Sequence, residues 1–425
     1  MSHSHDDRLL PQMYLLEQPV ARAALATTDI VDRIATGVAD LEIAPGARIA
    51  LGIGSRGIDQ IVLVTRTIVA ALRARGAQVF AFPAMGSHGG ATGPGQLKVL
   101  ASLGITDETL GCEIRSSMET RIVARIAVDH TDLPIHLDAH AAAADGVIVV
   151  NRIKPHTHFR GPTESGLTKM LVIGAGKHEQ ALAMHAHGVT GLRDLVPVSA
   201  QALVDTGRVL AGVALIEDGE HRLSHVEVIP AGQIRTREPD LLRQARSLMP
   251  RLPVDDIDLL VVDRIGKDIS GTGMDTNVVG RVRALDFAGF ERPRIRVVYA
   301  RGLTHATAGN AIGVGLADLV HQRLVEAIDP VSTAVNAMTG GSPQTAAVPI
   351  TATSDAEALS HFDRYLRGAR PTSEVRLIRC RDTLSLQRLL VSRAVAEVAP
   401  ADSTCTPVDL RWTADQDFGS VRGYD

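Results

Sequence analysis

The sequence predicts an α/β protein of two domains, each built on a mainly parallel sheet, with an active site in the cleft between them. Three observations lead there. Short apolar runs alternate with amphipathic stretches of helical period through the first half of the chain. Three of those runs deliver the chain into loops bearing Arg56, His88 and the pair His156/His158, and loops at the carboxyl ends of strands are where α/β folds assemble their sites. The alternation stops at MPRLPVDD (249–256), which reads as a linker, and then restarts. The domains so defined are 1–250 and 251–425, and 425 residues suffice for two or three separate cores.

In order, ARIALGIG (47–54) is a buried strand running into Ser55, Arg56 and Gly57. IDQIVLVTRTIVAALRARG (58–76) has apolar residues at helical spacing and ends on Gly76, a helix stop. QVFAFPA (78–84) is the next strand, followed by the glycine-rich loop MGSHGGATGPG (85–95) and a helix near 96–103. DGVIVVN (145–151) is a third strand, and GKHEQALAMHAHG (176–188) a short helix. Residues 207–234 read as a hairpin or two strands and 237–249 as a helix. Beyond the linker, DLLVVDRIG (258–266), IRVVYARG (295–302) and EVRLIRCRD (374–382) are strands. The polar tail after Pro400 is expected to pack back on the first domain or to stay loose.

Composition removes several functions. A net charge of −4 offers no field for nucleic acid, and 3% aromatics leave little for base stacking. No apolar run approaches the roughly 18 residues of a membrane span. The opening MSHSHDDRLLPQ lacks the basic and apolar regions of a signal peptide, so a cytoplasmic location is expected, with His3 and His5 in an unstructured start. Cys112, Cys380 and Cys405 are too few and too scattered for an iron–sulfur cluster or a zinc knuckle.

Only five of the 44 Lys+Arg residues are lysines, and three of those five share residues 154–187 with five histidines. Where arginine supplies the surface charge, a lysine marks a place that needs an amine as nucleophile or point charge. GIGSRG (52–57) is an incomplete dinucleotide loop, and GAGKH (174–178) fails as a P-loop because Leu171 and His178 occupy its glycine and Ser/Thr positions. GSHGG (86–90) sets His88 between glycines, where an imidazole suits acid–base work near neutral pH. His156 and His158, with His185 and His187 at the same spacing, are candidates for a zinc or nickel site. GKDISGTGMDTNVVGRVR (266–283), rich in small and polar residues, ends on Arg281 and Arg283, whose guanidiniums suit an anionic small molecule. His305 and Asn310 either touch such a substrate or shape a turn.

These motifs, in this order, resemble the nickel-dependent lactate racemase family. The resemblance covers most of residues 45–285 and implies a nickel-pincer nucleotide, the nickel complex of pyridinium-3,5-bisthiocarboxylic acid mononucleotide. By that resemblance Arg56 matches the arginine of the first loop, with Ile53 where the family usually carries aspartate. His88 matches the first catalytic histidine, and either His156 or His158 the second. Lys169, in SGLTK, matches the lysine that tethers the cofactor, with Ser165 and Gly166 beside it, and His185, sixteen residues later, the nickel-ligating histidine. GMDTN aligns with the family's Asp-x-Asn turn, which assigns Asn277, Lys267 and Arg283 to substrate; Arg283 replaces a lysine. Lys154 and Lys177 match no family position and are assigned to charge or structure.

What the resemblance implies is inversion at C2 of a 2-hydroxy acid by hydride transfer, with one histidine serving each face of the transient ketone. The departures at Ile53 and Arg283 favour a polar or sugar acid over lactate. Expected partners are that small molecule and the enzymes that synthesise the cofactor, with no nucleic acid and no membrane. The rival readings are a zinc- or nickel-dependent hydrolase or lyase without a pincer, and a non-catalytic nucleotide- or metal-binding homologue.

Overall fold

The computed structural model describes residues 11–128, 131–283, 290 and 292–425, so His3 and His5 lie outside the described residues. Two α/β units divide the chain: residues 21–249, and residues 250–425 together with the opening segment up to Val20. That opening segment carries strand β1 (Met13–Glu17) and is taken up with the second unit.

The first unit runs α1 (Thr27–Ala39), β2 (Arg48–Ile53), α2 (Ile61–Ala74), β3 (Gln78–Pro83) and α3 (Gly93–Ser102). An antiparallel hairpin follows, β4 (Thr120–Val128) with β5 (Thr131–Asp138), and then strand β6 (Gly146–Arg152). Helix α4 (Leu167–Lys169) continues as a π-helical turn over Met170–Gly174, followed by α5 (Lys177–His185) and α6 (Val196–Asp205). Strands β7 (Val209–Glu217) and β8 (Leu223–Pro230) and helix α7 (Ile234–Leu248) complete it. The sheet order is β3-β2-β6-β7-β8, parallel except for the last strand.

The β2 sequence shows why this sheet is covered on both faces. Ile49, Leu51 and Ile53 point into a core with Ile30, Ile34, Ile68 and Leu72 of α1 and α2. Ala50 points the other way, toward Leu171, Leu203 and Leu241 from the π-turn, α6 and α7. Successive side chains of a strand alternate faces, so a run that is apolar at every position requires two cores. Each fully buried Ile, Leu or Val contributes about 1.5–3 kcal/mol over its exposed state. The hairpin β4–β5 has no counterpart in the sequence reading. Its first strand is largely exposed and carries a bulge between Ile122 and Ala124, which interrupts the alternation a strand is recognised by.

The second unit adds β9 (Asp256–Val262), β10 (Arg294–Ala300), β11 (Leu319–His321), β12 (Ile350–Ala352), helix α8 (Asp355–Leu366), β13 (Leu377–Cys380), β14 (Arg388–Ser392) and β15 (Thr404–Val408). Its sheet has the order β12-β11-β10-β9-β13-β14-β1-β15, with five parallel strands followed by three antiparallel ones. Two expectations are corrected here. The opening segment belongs to this unit and not to a domain spanning 1–250, because β1 pairs with β14 and β15 and buries Leu16 on one face and Met13 on the other. The tail after Pro400 does not stay loose; it supplies β15 to this unit's sheet.

Beyond β15 the tail covers a buried charge network. Arg301 grips Asp355 through Nε at 2.8 Å and Nη2 at 2.5 Å, and Asp263 through Nη1 at 2.5 Å. Arg379 donates to Asp263 at 2.9 Å, and Tyr424 donates its hydroxyl to Asp263 at 2.7 Å. The Phe418 ring lies 5.2 Å from the Arg301 guanidinium and 5.1 Å from that of Arg379, and stacks on Trp412 at 5.4 Å. No helix among the described residues is long and apolar enough to cross a membrane.

Candidate functional site

Strands β3, β2 and β6 are parallel neighbours, so the loops that leave their carboxyl ends emerge side by side. Those loops carry His88, Arg56 and His156/His158, as the sequence pattern requires. Ile53, where an aspartate was the family expectation, is fully buried in the core. The polar partner of His88 is instead Ser55, whose Oγ bonds His88 Nδ1. Sequence reasoning passed over this serine, although its place two residues beyond a buried strand end marks it as loop-borne. Arg56 makes no hydrogen bond or ion pair with the described residues, and burial followed by the charge of Arg152 lowers its pKa.

The loop after β6 is closed on itself. Lys154 and Ser165 exchange backbone bonds at 2.8 and 3.2 Å, and Asn151 Nδ2 donates to the Gly166 carbonyl at 2.9 Å. Inside it, the fully buried Glu164 carboxylate accepts from His156 N at 2.7 Å and Gly161 N at 3.0 Å and pairs with Arg246 and Arg160. This carboxylate, a second residue missed in the sequence, fixes the backbone of His156. The buried His156 ring then bonds Lys169 Nζ through Nε2 at 2.7 Å, and its Nδ1 accepts from the His158 backbone N–H at 3.0 Å.

That pair of bonds couples the protonation of His156 to that of Lys169. A neutral imidazole has one N–H. With Nδ1 of His156 accepting, Nε2 can carry that proton and donate to Nζ once the amine has lost its charge. Burial favours loss of charge throughout the group. Burial, then Arg56 and Lys154, lower Lys169 from 10.5 to about 8. Burial, then Lys169 and its neighbouring bases, drive His156 well below the ordinary histidine value. Burial, then Lys169 and His185, take His158 to about 4. His185, at the end of α5, has an exposed side chain, yet the protein atoms around its ring and then Lys169 lower its pKa as well. Arg56, His156, His158, Lys169 and His185 thus form one electrostatic neighbourhood, rich in cations and neutral bases. Ser55 ties His88 to the Arg56 loop beside it.

Helix α4 begins against a buried acid. Thr168 donates to Glu238 Oε2 from its amide at 2.9 Å and its hydroxyl at 2.6 Å, while Glu238 Oε1 has no hydrogen-bond partner among the described residues. Burial, opposed by the Thr168 bonds, raises Glu238 from 4.5 to about 7. Gly166, assigned to cofactor in the sequence, has a structural reason to be glycine: a Cβ there would lie 2.1 Å from Glu238 Oε1. No local signal reveals Glu238, which meets Thr168 across 70 residues of chain.

The remaining candidates belong to the second unit. Asn277 donates from its backbone N at 2.9 Å and its Nδ2 at 2.7 Å to Asp275 Oδ1 at a helix start. Lys267 is held by its backbone N–H to Thr307 Oγ1 at 3.2 Å. Arg283 lies 3.6 Å from Asp318, which also takes Arg281 at 2.6 Å. Asn310 shapes a turn through Ile312 N at 3.2 Å, and His305 is exposed.

The four-histidine metal site weighed from the sequence does not form as a cage. Among the described residues the group with metal-ligand geometry is His321, Asp355 and Asp417, whose donor atoms lie within 4.8 Å of one another. There Arg301 already neutralises Asp355, and Arg323 neutralises Asp417 at 2.7 Å, so the charge a cation would supply is in place.

Neither a known family model nor a curated protein sequence matches the chain. Similarity appears at the level of fold. The lactate racemase apoprotein from Thermoanaerobacterium thermosaccharolyticum superposes with a TM-score of 0.52 at 13% identity, over 87% of this chain and 94% of that one. A Thermotoga maritima protein solved by structural genomics gives 0.50 at 12% identity, over 77% and 83%. The two-unit α/β fold is therefore shared with a lactate racemase.

Proposed function

We propose that this chain, built on a fold shared with a lactate racemase, is a racemase or epimerase acting at C2 of a 2-hydroxy acid, with a polar or sugar acid as substrate. The observation that carries this reading is the buried Lys169–His156 pair beside Arg56, which makes no ion pair among the described residues. A guanidinium in that state suits the substrate carboxylate. Histidines whose pKa is depressed stay unprotonated at neutral pH and can accept a hydroxyl proton. His88, held at Nδ1 by Ser55, would serve one face, and His156 or His158 the other.

The residues fit a nickel-pincer nucleotide. An amine lowered to about 8 has a larger nucleophilic, uncharged fraction near neutral pH than an ordinary lysine, so Lys169 is the residue that would hold the nucleotide covalently. His185, lowered in pKa, would ligate nickel as neutral imidazole. Arg56 and the Ser165–Gly166 turn would flank it. When bound, that group supplies the hydride acceptor and donor which the side chains lack. The enzymes that make the cofactor are the partners this reading requires.

The test is intact-mass and nickel analysis of protein produced with the cofactor-synthesis enzymes, together with a screen of single-enantiomer hydroxy acids. Expected are an adduct on Lys169, bound nickel and epimer formation with a polyhydroxy acid, all lost in Lys169→Ala. Protein with neither nickel nor adduct would overturn the tether; metal without added mass would favour the hydrolase or lyase.

A further inference from the structure

Lys177 has no part in the chemistry above and matches no family position, yet it is the most deeply placed lysine of the chain, with a side chain 0% exposed. Its Nζ donates to the Pro83 carbonyl at 2.6 Å and to Gln96 Oε1 at 2.9 Å, and lies 3.2 Å from Asp138. Burial lowers its pKa and Asp138 opposes that shift. The backbone of Lys177 is left-handed at φ 57°, a conformation a non-glycine residue adopts only when its surroundings demand it.

Its two neutral partners bracket one loop. Pro83 is the last residue of β3, and Gln96, also 0% exposed, lies in α3; between them runs the His88 loop. Because Gln96 Oε1 accepts from Lys177, its amide is oriented, and Nε2 must point into the loop. There it donates to the Gly86 carbonyl at 2.8 Å and to the His88 carbonyl at 3.4 Å. The loop closes tightly around this strut: a Cβ on Gly89 would lie 2.6 Å from Gln96 N, and one on Gly95 1.8 Å from Gly89 O. Lys177 is also chain-adjacent to the π-turn that follows Lys169, and it opens α5, which ends at His185.

We propose that Lys177 is a positioning residue which, through Gln96, fixes the His88 loop against the segment bearing Lys169 and His185. A buried lysine serving only to neutralise Asp138 would not need an oriented amide between it and the loop.

Gln96→Glu tests this, since it keeps an acceptor for Lys177 and replaces the donor to Gly86 and His88 with a second acceptor. Gln96→Met, which removes the link without adding charge, is the companion. Hydrogen exchange read by mass spectrometry is expected to rise about tenfold or more in residues 85–92 of either variant, with β6 and α5 unchanged. Unchanged exchange at 85–92, a uniform rise across the unit, or collapse of both variants would overturn the proposal. The catalytic consequence rests on the proposed epimerase reading: kcat falls about tenfold to a hundredfold with KM little changed. A protein without epimerase activity would refute that reading, while the exchange result would still decide the role of Lys177.

Discussion

Lys169 takes its character from its neighbours. His156 Nε2 lies 2.7 Å from its Nζ, and burial with Arg56 and Lys154 opposes its charge. In cofactor-free protein, pulse acylation followed by peptide mass spectrometry should therefore give Lys169 a labelling midpoint near pH 8; a midpoint near 10.5 would refute the lowered pKa. The scarcity of lysine pointed to this residue from the sequence, because only five exist and each must be where it is for a reason. Lys177, assigned to charge or structure, does hold structure, but what it holds was not legible. Its neighbours Gln96 and Asp138 lie 81 and 39 positions away in sequence, and nothing local distinguishes a buried lysine from a surface one. Ser55 was legible in principle, being the polar residue beside Arg56 at a strand end. Glu164 and Glu238 were not, since a carboxylate that organises someone else's backbone has no motif.

Among elements, α4 and its π-turn depend most on a contact made elsewhere in the chain. Three α-helical residues cannot hold themselves, and Glu238 of α7 accepts the amide and hydroxyl of their middle residue, Thr168. The raised pKa of that acid has a definite sign. Below about pH 4.5 the acid is protonated folded or unfolded and contributes no pH dependence; from there to about 7 the unfolded chain releases a proton that the folded one keeps. Stability should thus fall as pH rises from 5 to 7.5, by an amount on the order of 2–3 kcal/mol from this group alone. Denaturant titrations of Glu238→Gln at both pH values should show that decline reduced; an identical pH dependence in the variant would remove Glu238 as its source. The buried parallel strands β2, β3, β6, β9 and β10 were all legible as apolar runs. The antiparallel pair β7–β8 was legible too, as a hairpin within 207–234, but β1 and β14, of five residues each, were not: each is recognisable only through its partner.

At the scale of the molecule, the two-unit plan was visible in the restart of the α/β pattern after 249–256, but the chain's path was not. Both ends of the chain enter the second sheet, β1 beside β15, and no periodicity announces that residues nearly 400 apart will pair. The tail that continues from β15 is part of the unit's core, with Phe418 only 7% exposed. Phe418→Ala should lower the unfolding free energy of this unit by about 3 kcal/mol, through lost burial and the loss of cover over Arg301 and Arg379. A denaturant midpoint unmoved by the substitution would show the tail to be ornamental. The Trp412–Phe418 stack has an optical consequence too. Trp412 is the one tryptophan, and all four tyrosines, Tyr14, Tyr299, Tyr365 and Tyr424, belong to the same unit. Residues 21–249 therefore contribute almost nothing at 280 nm and emit no indole light. Tryptophan emission follows the second unit alone, and an ultraviolet chromophore acquired by the first would appear there against a nearly dark protein background.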